Sequence, residues 1–143
     1  MRTLRTLLAT TGTVAALVLS STVMASAAER PSGAANEVTH VALGNGVTLL
    51  LDVDSPEELA PSCPRGQFCG YSDQAGHGLA WECGFTPLPS NWNGSGWWYN
   101  NLTGSRTRVR MNTTGSPYTT PRAPYQDATA DWTPVVSLNV CVA

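Results

Sequence analysis

The sequence has no lysine; its eight basic residues are all arginine. Charge of either sign is sparse, with ten acidic residues against those eight in 143 positions. A nucleic-acid-binding domain needs a basic footprint, so this balance argues against nucleic acid as a partner. Metal-ligand spacings are missing as well. There is no CxxC pair, no HxxxH and no HExxH, and His40 and His77 stand far apart and read as surface residues. That pattern argues against zinc or any other dedicated metal site. Also absent are a nucleophile elbow, a base beside a serine and a phosphate loop. Asp73 and Glu82 could face each other on neighbouring strands as a carboxylate pair, but ten acids produce chance pairs. The expectation is a protein that is not an enzyme, with no catalytic residue and no cofactor.

Long apolar runs are confined to the start. Residues 1–27 carry Arg2 and Arg5, an apolar run through Leu17, Val18 and Leu19, and then Ala25-Ser26-Ala27. This is the pattern of a secretory signal peptide, cleaved after Ala27. The run is short for a membrane span and has no successor, so a secreted protein with no membrane partner is expected. Export leaves six arginines against ten acids, a charge of about −4 on about 116 residues.

Outside the cell, four cysteines imply two disulfides, with three connectivities open. Cys63 and Cys69 lie close enough to close a seven-residue ring, with Pro64 and Gly66 supplying turn chemistry. The favoured second bridge, Cys83 to Cys141, ties an early strand to the last one. It closes a loop of about 59 residues, worth roughly 4 kcal/mol in the chain-entropy model.

The short segments between turns read as strands. Residues 38–43 and 47–53 flank Gly44-Asn45-Gly46 as a hairpin, with Val47, Leu49, Leu51 and Val53 on one face. A pro-segment docking on the domain is the other reading of this stretch. Residues 54–61 have loop composition with at most one helical turn and read as a linker. Residues 28–60 thus form an N-terminal extension, and residues 61–143 the main domain. In that domain Phe68 to Tyr71 and Leu79 to Cys83 make a hairpin. There the Tyr71 ring would cover backbone left bare by Gly76 and Gly78. Residues 86–96 should cross over without a regular strand, and residues 97–100, 106–111 and 135–142 are further strands. Residues 113–124, with three prolines, read as an edge or loop. Short strands at this spacing predict an all-β Greek-key sandwich, stapled by two disulfides and without a strongly helical stretch.

Cys63-Pro-x-Gly-x-Phe-Cys69, followed by Tyr71, Gly76 and Gly78, resembles a secreted actinobacterial peptidase-inhibitor family, typified by the Streptomyces metalloproteinase inhibitor. Leu88-Pro89, Trp92-Asn93, Tyr99-Asn100-Asn101, Asp131-Trp132-Thr133-Pro134-Val135 and Cys141 also resemble that family. The resemblance covers residues 61–141. It implies a βγ-crystallin-like fold and tight binding, by a monomer, to an extracellular peptidase such as a metallopeptidase. Inhibitory members present their binding loop on a second small disulfide ring. This chain has no such ring, so no reactive-site residue carries over. Many βγ-crystallin domains bind calcium, and Asn100-Asn101-Leu-Thr-Gly104-Ser105 resembles their motif with glycine at the fifth position. Neutral asparagines and a missing hydroxyl imply weak binding there.

Two surfaces are candidates for partner binding. The first is Arg65, Gly66 and Gln67 in the small ring. The second is the tryptophan segment, where Trp97 and Trp98 alternate faces and one should point outward to a protein partner or a glycan. Arg106, Arg108 and Arg110 fall on one strand face, an ordinary solvated strip or one that meets an acidic partner. The alternative to peptidase inhibition is a glycan- or cell-wall-binding, or antimicrobial, secreted module.

Overall fold

The computed structural model of the chain describes residues 37–143. The signal-peptide reading of residues 1–27 and the first part of the extension lie outside the described residues. Ten strands and one short helix follow in order. They are β1 (Thr39–Gly44), β2 (Val47–Leu51), α1 (Pro56–Ser62), β3 (Phe68–Ser72), β4 (His77–Trp81) and β5 (Gly84–Pro87). Then come β6 (Ser95–Asn100), β7 (Arg108–Thr113), β8 (Tyr118–Thr119), β9 (Tyr125–Asp131) and β10 (Val135–Val142). They build two antiparallel sheets, a six-stranded one in the order β1-β2-β4-β3-β6-β9 and a four-stranded one in the order β5-β10-β7-β8. Both disulfides pair as favoured from the sequence, Cys63 with Cys69 and Cys83 with Cys141.

The two sheets pack face to face on an aromatic core. Phe68, Trp81 and Trp98 come from the six-stranded sheet, and Val109, Met111, Leu138 and Val140 from the four-stranded one. Trp92 and Trp132 fill the space between, each edge-on to Trp81 or to the other. Trp132 also donates its indole Nε1–H to the Tyr71 carbonyl at 2.7 Å. Gly96 makes room for this contact, because a Cβ there would strike the Tyr71 carbonyl oxygen and the Trp132 ring.

The N-terminal extension is built into this body. β2 pairs with β4 over four residues, Val47 opposite Trp81 through Leu50 opposite Gly78. Alternation along β2 sends Val47 and Leu49 toward the main core and Leu50 to the outer face. The expected shared face of Val47, Leu49, Leu51 and Val53 therefore stops at Leu49. Leu51 is exposed, and the chain turns at Asp52 with φ +63°, which carries Val53 under the helix with Leu50.

Residues expected to be a linker form α1 instead. Ser55 caps it, accepting from the Glu58 N–H at 3.3 Å, and Pro56 occupies the first turn. Seven residues would not hold a helix alone. Packing holds this one: Leu59 is fully buried in a second apolar cluster with Leu50, Val53, Cys63, Cys69 and Ala80. The six-stranded sheet is thus covered on both faces around β3. Leu50 also changes the hairpin. It lies 3.1 Å from where a Gly78 Cβ would be, so Leu50 and not Tyr71 covers that glycine. Tyr71 stacks on Trp97 instead, 4.2 Å between centroids and 7° between planes.

A Leu59→Ala substitution tests whether the extension is structural. Truncating a fully buried leucine costs about 2–4 kcal/mol, whereas a leucine in a solvated linker costs about nothing. Urea unfolding of the oxidised protein should show the larger loss, with an unchanged denaturant slope.

Candidate protein-binding end of the sandwich

Two adjacent asparagines organise one end of the molecule. β6 ends at Asn100, whose side chain is fully buried. Its Nδ2 donates to the carbonyls of Thr107 at 2.9 Å and Pro121 at 3.1 Å, and its Oδ1 accepts from the Leu102 N–H at 3.3 Å. Residues 101–107 and 120–124, two stretches with little regular structure, are thereby tied to one another. Thr107 adds a backbone bond from the Ala123 N–H at 2.9 Å.

Asn101 does the same for the disulfide ring. Its Nδ2 donates to the Cys63 carbonyl at 2.9 Å, its N–H to the Gln67 carbonyl at 3.1 Å, and its own carbonyl accepts from the Gly66 N–H at 2.8 Å. Within the ring the Gln67 N–H donates to Pro64, closing a turn with Gly66 at φ +87°. Positive φ at the third position of such a turn is why glycine stands there. The ring is therefore fixed by a disulfide, one internal bond and three bonds to Asn101. What it leaves free is Arg65, exposed at the tip, while Gly66 and Gln67 are half-buried. Arg106 and Arg122, on the two loops that Asn100 joins, are exposed as well.

The other residues singled out from the sequence fall differently. Trp98 is 2 % exposed and packs on Phe68 and Tyr125, so it belongs to the core and not to a binding surface. Strand alternation sends Trp97 outward, where it is half-buried against Tyr71 near α1. Burial, and then the Asp73 and Asp54 carboxylates, push the Tyr71 phenol above its usual range, so it stays a neutral hydroxyl. Asp73 and Glu82 sit at opposite ends of the β3–β4 hairpin, too far apart to share a proton or a water. His77 is half-buried, its Nδ1–H donating to the Ala75 carbonyl at 2.9 Å with the ring edge-on to Trp92. Arg108 and Arg110 share one face of β7, while Arg106 precedes the strand.

Calcium does not fit Asn100 and Asn101. One side-chain oxygen already accepts a backbone hydrogen bond, and both amide nitrogens hold carbonyls that a cation would need. No carboxylate joins them, and among the described residues no three His, Cys, Asp or Glu side chains cluster.

An apolar cleft of about 490 Å³ lies between the β1–β2 turn and β5, with Leu43, Val47, Leu79 and Phe85 in its lining. It exists because two strands of the larger sheet run past the edge of the smaller one. Neither this overhang nor the asparagine clamp is legible in the sequence, since each depends on strand pairing between distant segments. No protein-family model matches the chain, and neither a curated protein nor a solved structure matches it.

The clamp separates into two measurable parts. Asn100→Ala leaves the Pro121 carbonyl without its donor and the buried Leu102 N–H without its acceptor, and should cost about 2–4 kcal/mol of global stability. Asn101→Ala removes one ring bond, should cost about 1 kcal/mol, and should speed amide exchange mainly at residues 64–67. Equal global losses for the two variants would contradict this division.

Proposed function

We propose that the chain is a secreted peptidase inhibitor that acts by tight binding of a pre-ordered surface, with no chemistry of its own. The observation that carries this reading is the ring: rigidly tied to Asn101, with an exposed arginine at its tip. Freezing a loop before association removes the ordering cost that binding would otherwise carry. The tight turn at 64–67 also folds the chain back on itself within four residues, so the ring cannot lie along a peptidase cleft as an extended substrate does. A side chain can then fill a pocket while the backbone stays hard to cut.

Strand order supports the family that the cysteine motif resembles. The chain leaves the larger sheet for β5 and returns as β6, then leaves the smaller sheet for β9 and returns as β10. Each half thus lends one strand to the other's sheet, as expected of paired Greek keys in a βγ-crystallin-like fold. Two disulfides suit an oxidising, extracellular setting. Among the described residues no helix is long and apolar enough to cross a membrane. A domain of this size can supply an inhibitor contact of about 1,600 Å² in total.

The second reading is glycan or cell-wall binding, now through Trp97 alone. Tyr71 occupies one face of its indole, so a sugar has only the other face and the edge to meet.

Titration of the oxidised, exported chain against secreted metallo- and serine peptidases tests the proposal. Stoichiometric inhibition is expected, lost on reduction and weakened about 30-fold or more in Arg65→Ala if that side chain is a hot spot. A folded protein that inhibits nothing in the panel defeats the reading. Retention on insoluble polysaccharide, lost in Trp97→Ala, would then favour the glycan module.

A further inference from the structure

Charge is segregated between the two sheets. Every acidic residue among the described residues lies either on β9 or before Gly84, where the chain first enters the four-stranded sheet. Four of the five described arginines lie on β7 or on the loops beside it: Arg106, Arg108, Arg110 and Arg122. Among the described residues nothing packs on the outer face of that sheet, because α1 packs on the other one. One register row crosses all four strands, Phe85–Asn139–Arg110–Thr119. Phe85 in this row is 65 % exposed, while Val109, Leu138 and Val140 on the opposite face are buried. Arg108 shares the outward face and is half-buried, with its Nε enclosed.

Net charge is a poor guide to such a face. Stacked sheets stand about 10 Å apart, so charges on the far side of the larger sheet lie beyond a Debye length of about 10 Å at 0.1 M salt. A partner on the outer face of β7 meets the arginines first; the acids that come near this sheet are Asp127 and Asp131 of β9, which line a hollow with Met111, Thr113 and Tyr118 on its inner side.

We propose that this face binds an extracellular phosphodiester polymer, an extended chain with one negative charge per repeat. Charge complementarity and spacing argue for that occupant. Outward residues two apart on a strand are about 7 Å apart. A six-bond repeat spans roughly the same, since three backbone bonds span about 3.5 Å when extended. Guanidinium forks bind phosphate oxygens in pairs and keep their charge at any pH of interest. Phe85, opposite Asn139 and two strands from Arg110 in the same row, gives the carbon part of the repeat an apolar surface. The site is separate from the Arg65 ring and stands whether or not the chain inhibits a peptidase.

The test uses poly(glycerol phosphate), with an uncharged glucan and poly-glutamate as comparison probes, against the oxidised, exported chain. Three or four phosphates neutralised give a slope of log K against log salt of about −2 to −3, a loss of about 20- to 50-fold between 50 and 200 mM. Replacing two exposed arginines, Arg106→Ser with Arg110→Ser, should flatten that slope by about 1.4. Phe85→Ser should weaken binding at an unchanged slope, and Arg65→Ala should change neither. Thermal melts confirm that each variant is folded. Absence of binding at 50 mM salt overturns the proposal, as does a slope unaltered in the double variant. Binding of poly-glutamate without poly(glycerol phosphate) also overturns it and points to an acidic protein instead.

Discussion

Asn100 and Asn101 carry the constraint on which the rest of this molecule's working end depends. They are consecutive, so strand alternation turns one inward and the other toward the rim. The inward side chain reaches two loops, and the outward one reaches the disulfide ring. A side-chain amide donates and accepts in one plane, and at Asn100 both functions are used. Removing either function there strands buried backbone groups, which costs more than the bond itself contributed. Disulfide and clamp divide the task. Cys63–Cys69 limits what the ring can do when unfolded, and Asn101 sets where it sits once the sandwich has formed.

A second constraint comes from the number of strands. Six strands against four leave part of the larger sheet without a partner layer. On its inner face the protein leaves this part open as the cleft beside β5; on its outer face α1 and Val53 cover the sheet around β3 and β6. α1 lies over β3 and β6, so around those strands the larger sheet is covered on both faces, and the smaller sheet only on one. This leaves the arginine-bearing face of the smaller sheet in water. Fold and surface chemistry are thus linked: the covered sheet holds the acidic loops and the bare one the basic strand.

How much of this could be read from residues alone varied with the range of the interactions. Both disulfides, the N-terminal hairpin and the strands at β3, β4, β6, β7 and β10 follow from cysteine spacing, turn residues and apolar alternation. β9 was not legible, because as an edge strand with most residues exposed it carries no apolar pattern. α1 was missed because seven residues with two prolines have weak helix propensity, and only burial of Leu59 holds them. Trp97 and Trp98 gave alternation but not its sense, since neither polarity nor size distinguishes them. The roles of Asn100 and Asn101 were hidden for the same reason as Tyr71's stacking on Trp97. In each case the partner is set by pairing between segments far apart in sequence.

Order parameters for the amides of Arg65, Gly66 and Gln67 in the free, oxidised protein would test most directly whether the ring is pre-ordered for binding. If Asn101 and the disulfide fix the ring as described, these values match those of β3 and β6, at about 0.85. Values below about 0.6 would mean a mobile ring, and the binding surface would have to be sought elsewhere.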